Sequence, residues 1–148
     1  MINHLSTTHR RDLPWENLIR LVTGIAKSHP EYGFVLNLPP TELKKIQQQI
    51  TTTREFHELN VAAFTATDHF FQLPSLLSLS DVVITVETAV MHLASGLQTP
   101  QIVLMRESAR HWCPLNAEHV LYGKSVVGDI PVEEILQAFT RLISADTG

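Results

Sequence analysis

The amino-acid sequence predicts an α/β domain, a Rossmann-like parallel sheet with helices on both faces, and three observations lead to it. Short β-branched runs alternate with segments whose apolar residues recur at helical spacing. The clearest run, Asp81 to Val86, is apolar almost throughout after its aspartate, the mark of a strand buried on both faces rather than one. The spacing between runs leaves room for a crossover helix each time, which gives right-handed βαβ units. The 148 residues, 44% of them hydrophobic, suffice for one core, and no repeat, low-complexity tract or linker divides them. One domain spanning 1–148 is expected.

Taken in order, Ile2 to Leu5 is a short first strand, followed by the polar loop "STTHRRD". Pro14 suits the first turn of a helix in which Leu18, Ile19, Val22, Ile25 and Ala26 share a face. "YGFVLNL" (Tyr32 to Leu38) is a buried strand closed by Pro39-Pro40, and Thr41 is placed to cap a helix with apolar Leu43, Ile46 and Ile50. "VAAF" (Val61 to Phe64) is a further strand candidate, and "LPSLLSL" (Leu73 to Leu79) a short helix. After the Asp81 strand come a helix from Ala89 to Leu97, a strand beginning "PQIVLM", and a short edge strand at Val120 to Tyr122. Pro131 opens a last amphipathic helix through Ile135, Leu136, Phe139, Leu142 and Ile143.

Composition excludes several function classes. Eleven basic and fifteen acidic residues leave a formal charge of -4, which opposes nucleic acid as the main partner. Cys113 is the only cysteine, so no intrachain disulfide forms and a reducing, cytoplasmic setting is expected. No apolar run reaches the ~18 residues of a membrane span. The eight histidines are scattered, without HExxH or Cys/His pairing, so neither a metal nor a cofactor is expected. No Gly-x-Ser-x-Gly elbow indicates a hydrolase.

"DVVITVETAVMHLASG" holds the candidate chemistry. In an open parallel sheet, ligands bind where strand ends pass into helix N-termini. Glu87 and Thr88 lie at such a junction, and the unpaired N–H groups of the next helical turn favour an anion. A carboxylate and a phosphate compete for one positive helix end. The economical arrangement gives the N–H groups of Thr88 and Ala89 to phosphate and leaves Glu87 to accept from sugar hydroxyls, with His92 donating to either. That suits a sugar joined to a phosphate. Plain helix capping explains the same residues without a ligand, at roughly 0.5–1 kcal/mol, so a second site is needed to decide.

The loop after the first strand supplies one, since it too should lie at the carboxyl edge. Ser6, Thr7 and Thr8 offer hydroxyls and N–H groups, and Arg10 or Arg11 a bidentate fork for phosphate. Neither GxGxxG nor GxxxxGK[ST] is present, which disfavours dinucleotide-fingerprint and P-loop chemistry.

"LPSLLSLSDVVITVETAVMHLASGLQTPQIVLM" resembles the C-terminal domain of the family 9 glycosyltransferases, the bacterial lipopolysaccharide heptosyltransferases. Their pattern is a helix, a strand, D-T-G-x-x-H-L-A-A-A-L-x-x-P, and a strand ending in Phe/Tyr-Gly. The resemblance extends back through "HLSTTHRRDLPWENLIRLV" and on through "VVGDIPVEEILQAF". It implies one half of a GT-B enzyme, the half that holds an ADP-sugar donor. By that resemblance Ser6, Thr7 and Thr8 lie near the donor phosphates, and Arg11 stands where the family has a lysine meeting phosphate or ribose. Glu42 falls near a ribose-reading glutamate, and Glu87 at the aspartate holding the donor sugar. Thr88 and Ala89 stand at the phosphate-binding Thr-Gly, and His92 at the histidine beside the sugar.

Several positions depart from the pattern. Glu87 is one methylene longer than aspartate, Ala89 replaces glycine, and Val90 and Arg106 also differ, the latter where a Gly-Pro-Thr turn is usual. Arg106 and Arg110 either add phosphate contacts or are solvated, and solvation is the simpler expectation. The resemblance also implies an acceptor-binding, base-carrying N-terminal domain outside this chain, so no catalytic residue is expected here. The resulting expectation is the donor half of a transferase moving a heptose-type sugar from ADP-sugar to lipopolysaccharide core, peripheral to the inner membrane at most. A non-catalytic nucleotide or sugar-phosphate binding module, or a decayed remnant with an interaction role only, is the alternative.

Overall fold

The computed structural model describes residues 1–67, 71–115 and 117–147. Six strands form one parallel sheet: β1 (Ile2–Asn3), β2 (Phe34–Asn37), β3 (Val61–Phe64), β4 (Val83–Val86), β5 (Gln101–Arg106) and β6 (His119–Gly123). Their order in space is β3-β2-β1-β4-β5-β6, so the chain runs outward to one edge and then returns to start again beside β1. The helices are α1 (Trp15–Ser28), α2 (Leu43–Thr52), α3 (Gln72–Leu79), α4 (Ala89–Gly96) and α5 (Val132–Thr147). This is the Rossmann-like architecture expected from the sequence.

The continuous apolar strands are explained by what covers them. Ile84 and Val86 of β4 and Ile102 and Leu104 of β5 enter the main core with Leu18, Leu21, Val22 and Ile25 of α1 and Ile135, Phe139 and Leu142 of α5. Their neighbours point the other way: Val83 packs with Leu77 of α3 and with Val90 and Ala94 of α4, while Val103 and Met105 pack with Met91. Both faces are sealed, so apart from the buried Thr85 in β4 and Gln101 at the start of β5 these strands are apolar until their carboxyl ends. No helix among the described residues is long and apolar enough to cross a membrane.

Element ends differ from the sequence expectation for local reasons. β1 stops at Asn3 because the chain then turns, the Leu13 N–H donating to the His4 carbonyl at 2.9 Å. Pro14 precedes α1 as its capping residue, its carbonyl accepting from the Leu18 N–H at 2.9 Å. Thr41 does not cap α2; it sits inside a 3-10 turn, Pro40–Glu42, whose Glu42 occupies the capping position without a side-chain bond. β5 reaches β6 through a 3-10 segment, Glu107–Trp112, rather than a crossover α-helix.

Gly123 ends β6 where the chain folds tightly: a Cβ there would stand 2.0 Å from the Val126 carbonyl oxygen, which is backbone. Gly123→Ala should therefore lower the thermal midpoint by at least about 4 °C, from a strain on the order of 2 kcal/mol. An unchanged midpoint in differential scanning calorimetry would show that this turn yields freely.

Candidate functional site

The strand order reverses between β1 and β4, and in such sheets the loops leaving the two strands on either side of the switch frame a ligand crevice. Here they are the Ser6–Asp12 loop after β1 and the Glu87–Thr88 junction between β4 and α4. A hydrogen-bonded ladder ties them together. The Asn37 side-chain NH2 donates to Asn3 Oδ1 at 3.1 Å, and the Asn3 NH2 donates to Thr85 Oγ1 at 3.1 Å and Thr88 Oγ1 at 3.0 Å. Asn3, Asn37 and Thr85 are buried. The Thr85 hydroxyl donates to the Val86 carbonyl at 2.8 Å. The register makes this possible, since Asn3 pairs with Thr85 while Ile2 pairs with Leu36, which sets Asn37 level with Asn3.

Thr88 caps α4, accepting from the Val90 N–H at 3.2 Å as well as from Asn3. Its hydroxyl proton has no acceptor among the described residues, so it remains available to a ligand. Ala89 begins the helix in ordinary right-handed conformation and is exposed; the φ > 0 that a glycine would permit is not used. His92, one turn on, is also exposed.

In the first loop the Ser6 hydroxyl donates to the Thr8 carbonyl at 2.9 Å and accepts from the Thr8 N–H at 3.1 Å. The Ser6 N–H donates to Asp12 Oδ1 at 2.6 Å. Both Ser6 groups thus hold the loop's shape. Arg11 Nε donates to Thr8 Oγ1 at 3.2 Å and its Nη2 to Thr7 Oγ1 at 3.3 Å. Among the described residues no carboxylate pairs with Arg11, so its charge stays uncompensated.

Glu87 and Arg106 differ from expectation. Arg106 is not solvated: its Nε donates to Glu87 Oε1, the carboxylate being 5% exposed and the arginine 24%. Removing one member of such a pair leaves the other desolvated and unmatched, at a cost of about 3–5 kcal/mol. Arg110 is exposed, and its guanidinium lies 4.0 Å above the Tyr122 ring. The ion pair joins residues nineteen apart, and adjacency of β4 and β5, with Val86 paired to Leu104, is the signal that brings opposite charges together at two strand ends.

Three adjoining clefts of about 680, 440 and 500 Å³ run along this edge. Glu42 lines the first with His4, Lys45 and the Ser6–Thr8 loop. The second, over β1 and β2, is lined by Ser6, Thr7, Arg11, Thr88 and Ala89. The third holds Arg11, Glu87, His92, Arg106 and Trp112. Ser6, Thr7, Thr8, Arg11, Glu42, Glu87, Thr88, Ala89 and His92 each line at least one of them, Ser6, Thr7, Arg11, Thr88 and Ala89 line two, and Arg10 and Arg110 line none.

Asn3, Asn37 and His4 were not among the sequence candidates as site residues, and Arg106 was weighed as a phosphate contact but expected in solvent. His4 is 2% exposed, its Nδ1 is buried with no hydrogen-bond partner, and its ring lies 5.9 Å from that of Trp15. Burial lowers its pKa to about 4, Asp12 opposing only in part.

A Rossmann-like sheet with hydroxyl-rich loops, an arginine unpaired with any carboxylate among the described residues and a capped helix start at its switch point has the form of a doubly wound α/β domain with an open crevice at its carboxyl edge. The chain belongs to glycosyltransferase family 9 (heptosyltransferase), whose model matches residues 21–127, from α1 past β6. Solved structures share the fold over nearly the whole chain. Escherichia coli heptosyltransferase WaaC with ADP is 15% identical with a TM-score of 0.77, over 95% of this chain and 43% of its own. E. coli ADP-heptose lps heptosyltransferase II is 14% identical with a TM-score of 0.76, over 99% and 46%. A family 9 glycosyltransferase from Veillonella parvula is 17% identical with a TM-score of 0.81, over 97% and 45%. The chain therefore spans less than half the length of these proteins. Their sheets match this one as GT-B glycosyltransferase halves. No curated protein sequence matches the chain.

Two measurements follow from the geometry. Asn3→Ala removes the acceptor of the Asn37 side-chain NH2 and the donor to Thr85 in a dry sheet, so urea denaturation should show a loss of about 1–3 kcal/mol. For His4, the unfolded chain takes up a proton near pH 6.5 and the folded chain only near pH 4. Stability therefore falls as pH drops through that window, by up to about 3 kcal/mol, and is flat above it. Subtracting a His4→Gln stability-against-pH curve from the wild-type curve should isolate this slope; parallel curves would refute it.

Proposed function

We propose that this chain is the donor-binding half of a heptosyltransferase-type glycosyltransferase, and that an ADP-sugar lies along the three clefts. Glu42 takes the ribose. The diphosphate sits between the Ser6–Thr8 loop, Arg11 and the start of α4, with the Thr88 hydroxyl and the N–H groups of Thr88 and Ala89 donating. The sugar extends toward His92 and Glu87. The observation that carries this reading is Arg11: a guanidinium with no carboxylate partner among the described residues, lining the two clefts on either side of Thr88. A dianionic diphosphate supplies the missing charge. The structural neighbours named for ADP and ADP-heptose point to the same donor class.

In inverting transfer, the acceptor hydroxyl attacks the anomeric carbon as the bond to the diphosphate breaks. A general base removes the acceptor proton, and cationic and N–H donors stabilise the leaving diphosphate. The residues here serve the second task. The base and the lipopolysaccharide-core acceptor belong to an N-terminal half, and the reaction occurs on the cytoplasmic side of the inner membrane. The engagement of Glu87 by Arg106 and of Ser6 within its own loop favours a second reading, a nucleotide-binding module without transfer or a remnant kept for interaction.

Thermal unfolding with ADP, UDP and GDP tests the proposal. A ligand at ~100 times its Kd adds about 2.7 kcal/mol, several degrees for a domain of this size. ADP should raise the midpoint, and Arg11→Ala should remove most of that rise measured from the variant's own unliganded midpoint. Absence of any shift with all three nucleotides would overturn the donor-site reading and leave the remnant.

A further inference from the structure

The third cleft contains a feature the nucleotide does not require. Arg106 spends its Nε on Glu87, while its two terminal nitrogens have no hydrogen-bond partner among the described residues. The second carboxylate oxygen of Glu87 likewise has none, and both residues line the cleft with His92, His111 and Trp112. A buried carboxylate is here compensated by a guanidinium on the neighbouring strand, so the pair carries no net charge while offering donors and an acceptor side by side. An exposed indole, Trp112, is 62% accessible in the same cleft.

We propose that Arg106 is a specificity-determining residue for the donor sugar, acting with Glu87 to read neighbouring hydroxyls of an uncharged sugar. The terminal nitrogens donate to one sugar oxygen, and the free carboxylate oxygen accepts from the adjacent hydroxyl. Because Glu87 is compensated from within the protein, the Glu87–Arg106 pair presents no unmet charge and selects for hydroxyl pattern. Trp112 offers a flat apolar wall for the sugar's C–H face. A carboxylate alone can only accept; the pair distinguishes donors from acceptors around the ring. This inference rests on the donor-site reading above.

Calorimetric titration of the 148-residue chain with ADP and with ADP-heptose provides the test, the ratio of the two affinities being the readout. The wild type should prefer ADP-heptose. Arg106→Lys retains the positive charge beside Glu87 but loses the planar fork, and it should cut the preference on the order of tenfold or more. If charge compensation were the whole role of Arg106, lysine would satisfy it and the preference would survive, overturning the proposal. Should the lysine variant fold poorly, Glu87→Gln combined with Arg106→Met removes both charges together. That variant too should lose the preference, and a wild-type ratio from it would equally overturn the assignment. A wild type that binds ADP and ADP-heptose equally would sink the sugar subsite while sparing the nucleotide site. One that binds neither would sink both.

Discussion

Three strands meet through a single asparagine. Asn3 accepts from Asn37 on one side and donates to Thr85 and Thr88 on the other, so β2, β1, β4 and the start of α4 are held by side chains as well as by the backbone ladder. β1 is two residues long, too short to fix the sheet's centre by backbone pairing alone. The ladder supplies that fixation where the strand order reverses, and it sets the hydroxyl that faces the crevice. A buried polar network of this kind stabilises only when its members are matched, and the donors of Asn37, Asn3 and Thr85 each find an acceptor.

The second constraint lies one strand over. At 5% exposure, Glu87 is too buried to carry an isolated charge, and Arg106 reaches across from β5 to meet it. Where the family pattern has a shorter carboxylate followed by a glycine, this chain has a longer carboxylate, an alanine and an arginine on the adjacent strand. These departures form one consistent set. The extra methylene extends the carboxylate from β4, the alanine accepts a helical start without special backbone freedom, and the arginine on β5 meets the charge.

Much of the fold was legible because burial on both faces leaves an unambiguous trace: Val83 to Val86 and Gln101 to Met105 are buried throughout, so neither strand could be mistaken for a surface element. The Glu87-Thr88 junction was legible for the complementary reason, polar residues ending an apolar run. The Asn3 ladder was not. Asn3 reads as an ordinary position within a strand from Ile2 to Leu5, and its meaning depends on a register that local sequence does not contain. Arg106 was misjudged as solvated because its partner is nineteen residues away, on a neighbour identified only by strand order. Thr41 illustrates the opposite error, a good capping residue displaced by the 3-10 turn that two prolines impose.

Placing the Thr88 hydroxyl under the control of Asn3 ties the crevice to the stability of the sheet. In most enzymes a loop can drift through sequence space while its scaffold persists. Here a change at position 3 alters the folding free energy and the crevice in one stroke. Random variants at that position will therefore be filtered by proteolysis and poor yield before any difference in ligand preference can be selected. Diversification of this domain has correspondingly more freedom on the β5 side of the crevice in the segment after Arg106, since Arg106 itself is held by the buried Glu87.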